Sequence, residues 1–402
     1  MLGLRKLPWI ICLSFVSLWA ASAPMARSQA RVDILETDVF YTFGGQVTFW
    51  ARFSADTPPE KVQVFYKSRG DANTLVGEAL IYQDELQFTL DLSSRPLRAF
   101  AEVDYYFAFE FPGETVVSPL FYFYYEDNRF DWKALQNEPF QVHWYEGDVA
   151  FAQMVLDTAQ AGLLKAQTYL MLPAPEKVDI FVYASGAEMQ STLRLGGIRM
   201  IAGHASPDLG VIVVSLPPGP EQRLEMERQV PHELMHILLY EHLGERANLL
   251  PVWFNEGLAS FNESLPNHEY PDTLRAAIEK ESLIPMKMLC QAFPIDASYN
   301  YQAYAQSDSF VRFIHNEYGS TALRALLESY GQGLDCEKGV QQALGISLDR
   351  LERRWQSKAL NQNQLTKSLA LIAPWVAILF VSLFAPVFLS INSLTNKSAR
   401  KR

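Results

Sequence analysis

The sequence predicts a multidomain chain: an N-terminal all-β sandwich of immunoglobulin or fibronectin type, an α+β domain, and a C-terminal transmembrane helix. Three observations predict it. Short runs of alternating apolar and polar residues fill residues 31–127, helical spacing takes over in residues 128–360, and residues 368–394 carry no charge. A length of 402 residues suits two folded domains plus targeting segments. The hydrophobic share of 49 % and aromatic share of 13 % are ample for cores. With 34 basic against 45 acidic residues, a net charge of −11 and no basic stripe, nucleic acid is not an expected partner.

Residues 1–30 read as a secretory signal: Arg5 and Lys6, an apolar run over residues 7–20, then small residues. Ala21-Ser22-Ala23 and Ser28-Gln29-Ala30 are competing cleavage points, Pro24 counting against the first, and an uncleaved anchor is the alternative reading. Cys12, preceded by Ile11, belongs to the apolar run and not to a lipoprotein site.

In the β region, strands are expected over residues 46–53, 61–66, 85–90, 103–111 and 116–125. Turn signals such as Ser68-Arg69-Gly70-Asp71 and Pro112-Gly113 separate them. Arg69-Gly70-Asp71 invites an adhesion reading, but a tripeptide this short is first a hairpin turn. The aromatic run Phe121-Tyr122-Phe123-Tyr124-Tyr125 is expected as a core-and-edge strand, not a ligand platform.

Residues 128–360 change character. Strands are expected over residues 139–145, 178–183 and 210–215, with an amphipathic helix over residues 149–172 between the first two. Helices follow, including 304–317, 320–331 and 347–358, giving a small sheet first and helices after. Val230-Pro231 leaves two options open: a helix starting there with proline near N1, or one kinked there.

The chemistry lies at His232-Glu233-Leu234-Met235-His236 and at Trp253-Phe254-Asn255-Glu256-Gly257-Leu258-Ala259. On a helix, His232 and His236 leave the same face and can hold one ion. Glu233, one position round, stands where a general base would take a proton from water. Glu256, twenty residues past His236, supplies a third ligand from the next helix. Two histidines and a carboxylate, with the fourth position left to water, form a catalytic rather than a structural zinc set for one Zn2+. The bland alternative is a solvent-facing histidine pair without metal. Glu225, Glu227 and Arg228 before this helix, and Glu241, Glu245 and Arg246 after it, leave an apolar stretch too short to lie within a membrane.

The His232–Glu256 pattern resembles the gluzincin metallopeptidases, the thermolysin-like and aminopeptidase-like clan, and the layout of residues 139–358 is most like its short peptidase MA-like domains. The resemblance implies His232, His236 and Glu256 as zinc ligands and Glu233 as general base. It also implies Tyr304, in Tyr304-Ala305-Gln306-Ser307-Asp308, as oxyanion donor, with Tyr301 the rival within one turn and a packed helix tyrosine the alternative. His204 could reach the cleft, though an ordinary loop histidine is the plainer reading; His242 and His315 receive no role. The substrate backbone is expected antiparallel to the strand over residues 210–215. Two departures stand out. The Gly-x-Met-Glu-Asn element with which clan aminopeptidases grip a free N-terminus is missing. Ser260 also stands four residues past Glu256, where thermolysin-like members carry an acid that orients a zinc histidine, so that support must come from elsewhere.

At the far end, Lys367 precedes the uncharged run, and Lys397, Arg400, Lys401 and Arg402 lie in the tail of residues 395–402. That places the C-terminus in the cytoplasm and the bulk of the chain outside, at the cell membrane. Pro374 and Pro386 are tolerable in a membrane helix, and a buried soluble helix is the alternative. Outside the cytoplasm disulfides persist; Cys290 and Cys336 form either one bridge or two free thiols. The functional expectation is a membrane-anchored extracytoplasmic zinc metallopeptidase, an endopeptidase acting on peptides or proteins. The alternatives are a zinc aminopeptidase, a catalytically inactive membrane-tethered binding protein, and an adhesion module built on the β region.

Overall fold

The alternation read in the N-terminal third folds into eight strands: β1 (Val32–Tyr41), β2 (Gln46–Ala55), β3 (Lys61–Ser68), β4 (Leu75–Tyr82), β5 (Glu85–Asp91), β6 (Ala101–Phe111), β7 (Glu114–Val117) and β8 (Phe121–Tyr125). The computed structural model describes residues 30–93, 95–193 and 203–360, with 374–375, 378–379 and 382 beyond them. The expected signal, nearly all of the expected transmembrane run and the basic tail lie outside the described residues. Among the described residues no helix is long and apolar enough to cross a membrane.

The strands pair in the order β1-β2-β5-β4-β3-β6-β7, with β8 also on β6. Strand β4 pairs with β3 through residues 75–79 and with β5 through residues 80–82, so one path runs through both halves. Rings from strands distant in that path meet across the interior: Phe49 on β2 lies 5.2 Å from Tyr105 on β6, and Phe53 lies 5.1 Å from Phe109. The layering is therefore that of a sandwich around one apolar core. Strands β1 and β4 add to the expected set, and the expected 116–125 strand divides at Ser118-Pro119-Leu120, where proline cannot donate to a ladder.

The second part has a five-stranded sheet from β9 (Lys133–Asn137), β10 (Phe140–Trp144), β11 (Val178–Tyr183), β12 (Gly203–Ser206) and β13 (Val211–Ser215), in the order β12-β13-β11-β10-β9. The three central strands are parallel; β9 and β12 run antiparallel on the two edges. Its helices are α1 (Val149–Leu170), α2 (Gly186–Leu193), α3 (Gln222–Leu243), α4 (Val252–Asn262), α5 (Tyr270–Glu279), α6 (Ala297–Gly331), α7 (Cys336–Leu344) and α8 (Leu348–Lys358). Helix α1 starts where Asp148 accepts a hydrogen bond from the Phe151 amide, and ends at Met171 in the left-handed region, φ 60°. Helix α6 is broken at Gly319, φ 78° and ψ 176°, the break expected between two helices there.

Every residue of β13 is buried, so both faces of this sheet are covered. Ile212 and Val214 face the core built with α1 and α3. Val211 and Val213, with Phe181 and Tyr183, face the other way, onto Phe100 of the sandwich and the connecting residues Phe130 and Trp132. Phe100 stacks on Phe181 at 3.8 Å. At the same seam Asp127 is fully buried: Tyr183 and Thr192 hydroxyls donate to it at 2.8 and 3.0 Å, and Arg129 pairs with it at 2.6 Å. The second cover of the sheet is thus built from α2, the connecting residues and Phe100 of the sandwich.

Candidate metal centre and cleft

Helix α3 does not begin at Pro231; it runs from Gln222 through it. Proline has no N–H for the carbonyl one turn back, which frees the Glu227 oxygen. The Ser264 amide takes it, at 2.9 Å, and Asn262 Nδ2 donates to the Pro231 oxygen at 2.8 Å. The break in the helical ladder is therefore the anchor for the chain leaving α4. That anchor carries Glu263, the residue between, onto the metal-facing helix.

His232 and His236 leave one face of α3, and Glu256 comes from α4. One ligand atom from each lies within 4.8 Å of the others. His232 Nε2 is 3.5 Å and His236 Nε2 3.8 Å from Glu256 Oε2. Each ring is held from behind: His232 Nδ1 lies 3.1 Å from Glu263 Oε1, and His236 Nδ1 3.1 Å from Asn255 Oδ1. An Nδ1 donating to oxygen leaves the Nε2 lone pair facing Glu256. Two imidazole lone pairs and a carboxylate oxygen, converging with their outer partners in place, fit a zinc ion. The outer partners were absent from the sequence reading. Glu263 lies seven residues past Glu256, at the C-cap of α4, and no spacing rule points to it.

Glu233 is buried on the same face. Burial raises its carboxyl pKa, and the two histidines and the nearby Ala205 backbone work against that rise. Glu256 is held below its usual range: burial opposes this, but His236 and His232 outweigh it. Strand β12 presses on Glu233 so closely that a Cβ on Gly203 would lie 2.7 Å from Glu233 Oε1.

A cleft of about 290 Å³ opens between β12, α3, α4 and α6, and Tyr304 lines it with the three ligand residues and Glu233. The Tyr304 ring lies 6.4 Å from that of His232 and packs edge-on against Phe293 at 4.9 Å. Gly257 allows this approach, since a Cβ there would stand 2.7 Å from the Ser307 carbonyl of α6, one turn beyond Tyr304. Tyr301 points elsewhere, donating to Glu269 at 2.7 Å and meeting Asn267. His204 is on a strand, not a loop. It also borders the cleft, but its register partner is Val213, so its side chain shares the sheet face that meets the sandwich. The strand over residues 211–215 is internal, flanked by β11 and β12, so it is not the free edge expected for a substrate; among the described residues that edge is β12. Cys290 and Cys336 form a disulfide with Cα atoms 6.0 Å apart.

Comparison with known families gives a match over residues 158–361 to the family described as Peptidase MA superfamily. No curated protein sequence matches the chain. Among solved structures, an M1 zinc metallopeptidase from Deinococcus radiodurans is similar at 11 % identity and TM-score 0.37, covering 81 % of this chain and 94 % of that one. An aminopeptidase N family protein from Idiomarina loihiensis shows 8 % identity and TM-score 0.36 over 82 % of this chain and 73 % of its own. A laminaripentaose-producing β-1,3-glucanase from Paenibacillus barengoltzii shows 17 % identity and TM-score 0.17 over 23 % of this chain and 20 % of its own.

Proposed function

This chain belongs to the Peptidase MA superfamily, and on that premise we propose that it is a zinc endopeptidase held at the outer face of a membrane by its C-terminal apolar run. The observation that carries the peptidase reading is the convergence of His232, His236 and Glu256 beside the buried Glu233. The two Nε2 lone pairs and a Glu256 oxygen would hold one Zn2+. When bound, the zinc would supply Lewis acidity, lowering the pKa of water toward ~7 and polarising the scissile carbonyl. Glu233 would accept the proton of the attacking water and return it to the leaving amine. Tyr304 would donate to the carbonyl oxygen as negative charge develops there, a contribution of about 10²–10³ in turnover. The substrate backbone would add to the free edge of β12, antiparallel main-chain pairing that tolerates many sequences.

One observation favours cleavage within chains. Among the described residues lining the cleft, Glu233 and Glu256 are the carboxylates, and both already have tasks. The next acid beyond the edge strand, Asp208, is paired with Arg98. No spare carboxylate there would grip a substrate ammonium group.

The disulfide supports an oxidising, extracytoplasmic setting. The strand order places β1, β2, β5 and β4 together and β3, β6 and β7 together, which supports an immunoglobulin- or fibronectin-like reading of residues 31–127. Residues 128–360 would then be the peptidase domain, 368–394 the anchor and 395–402 the cytoplasmic tail.

Mass-spectrometric profiling of a mixed peptide library tests the chemistry. Internal cuts that vanish with a chelator and in Glu233→Gln are expected. Loss of single N-terminal residues would replace this reading by an aminopeptidase, and no cutting by zinc-loaded protein would favour a binding role. An impermeant amine reagent on intact cells should label lysines of residues 31–360 and spare Lys397 and Lys401; the reverse would refute the orientation.

A further inference from the structure

We propose that the sandwich is a working part of the cleft: Arg98 is a positioning residue that, through Asp208, holds edge strand β12 against Glu233. The proposal rests on the peptidase reading above and adds a role for the N-terminal region.

Strand β12 is where such control matters. Its Ala205 backbone favours the ionised form of Glu233, and Gly203 lets the strand lie against that carboxylate without a side chain between. Yet among the described residues it spans four positions and pairs with β13 alone. A strand this short, with one neighbour, has little of its own to fix its position. Its C-terminal end runs directly into a single 3₁₀ turn, Pro207–Leu209, that closes the hairpin to β13.

Asp208 in that turn is gripped from the sandwich. Arg98 Nη1 donates to Oδ2 at 2.5 Å and Nη2 to Oδ1 at 2.6 Å, a two-pronged contact with both side chains about a quarter exposed. Paired bonds from a planar guanidinium fix orientation as well as distance, which a lysine would not do. Arg98 is itself tethered: Nη1 lies 3.3 Å from the Arg69 carbonyl, and its amide donates to Ser68 Oγ at 3.3 Å. Gly70 completes the fit. It has φ +87°, and a Cβ there would overlap the Arg98 guanidinium and the Asp208 carboxylate. The Arg69-Gly70-Asp71 turn is thus shaped around this pair. Two residues on, Phe100 is stacked on Phe181, so the sandwich is seated on the sheet and Arg98 reaches out from a fixed base.

The experiment uses the full chain with Arg98→Ala, Asp208→Asn, the double variant and Arg98→Lys. A mixed peptide library supplies the best-cleaved peptide, and kcat and KM are then measured on it, beside zinc content and amide hydrogen exchange over residues 203–209. Each single variant should lower kcat by about tenfold, since misplacing a catalytic group by about 1 Å costs up to ~10². KM should move by less than about threefold. The double variant should be no worse than either single one, Arg98→Lys should fall between, zinc content should hold, and the Ala205 amide should exchange faster. Unchanged kcat with a loosened Ala205 amide, additive losses in the double variant, or unchanged exchange in all variants would each overturn the proposal. A fall in zinc content matching the fall in kcat would also overturn it. If Arg98→Ala does not fold, Asp208→Asn and Arg98→Lys carry the same comparison. If the parent protein cuts no peptide, the peptidase reading fails separately, and Ala205 exchange decides whether the clamp holds β12.

Discussion

Replacing Glu263 by alanine should weaken zinc binding by about 10–100-fold without removing a ligand. The carboxylate is 5 % exposed, and its Oε1 stands 3.1 Å from His232 Nδ1. Without it the Nδ1–H of a largely buried ring loses its acceptor, a cost of about 1–3 kcal/mol. The ring is also freed to present the wrong nitrogen to the metal. A 10–100-fold loss equals about 1.4–2.7 kcal/mol, so the two routes to the magnitude agree. Glu263→Gln keeps an acceptor oxygen and gives up the charge, and should fall near the lower end. Asn255→Ala should do the same to His236, whose Nδ1 it meets at 3.1 Å. Competition against a chromophoric chelator at pH 7 reads the affinity directly. Glu263→Ala within twofold of the parent protein would refute the reasoning, because it would mean that the His232 ring is fixed by packing alone.

Three further outcomes are expected. Gly203→Ala places a Cβ 2.7 Å from Glu233 Oε1 and should lower kcat by at least about tenfold with zinc content unchanged, checked by steady-state kinetics and metal analysis. Opening the Cys290–Cys336 disulfide with serine at both positions releases a 46-residue separation and should cost about 4 kcal/mol in denaturant unfolding. For acid stability, Asp127 is held below its ordinary value of 3.8: burial opposes this, but hydrogen bonds from Arg129 and Tyr183 outweigh it. A depressed carboxyl pKa stabilises the fold above the unfolded value and loses that contribution as pH falls through the folded one. Urea titrations between pH 6 and pH 2 should therefore show stability dropping below about pH 4, with a shallower drop in Asp127→Asn.

The metal-binding face was legible because helical periodicity fixes it: with His232 and His236 one turn apart, the side chains must converge. Glu256 was legible for its position in an apolar helix close behind. Glu263 and Asn255 were not, since their roles depend on the chain turning back onto α3. That return uses the Glu227 and Pro231 carbonyls, and a sequence shows Pro231 only as a possible break. Strand β12 escaped for another reason. Gly203-His204-Ala205-Ser206 has no β-branched or alternating pattern, and it is a strand because β13 offers it an unpaired edge. The same oversight made residues 210–215 look like the edge. In the sandwich, β2 and β3 announced themselves by alternation, and β5 and β6 by short runs rich in apolar and aromatic residues between turn signals. Strand β1 did not, because its register shifts between Ile34 and Glu36 and the pattern changes phase. The seam between the two regions was invisible. Phe100, Asp127, Phe130 and Trp132 fall outside every expected strand and helix, and only the face of the sheet left open by α1 and α3 explains why they are buried or packed there.

The central claim is that His232, His236 and Glu256 hold one catalytic zinc with a position left for water. X-ray absorption spectroscopy on the zinc-loaded protein, beside Glu256→Ala, tests it most directly. The account predicts one zinc per chain with two imidazole nitrogens and oxygen donors, and loss of one donor together with weaker binding in the variant. A sulfur-containing shell, or a spectrum and affinity unchanged by Glu256→Ala, would contradict it.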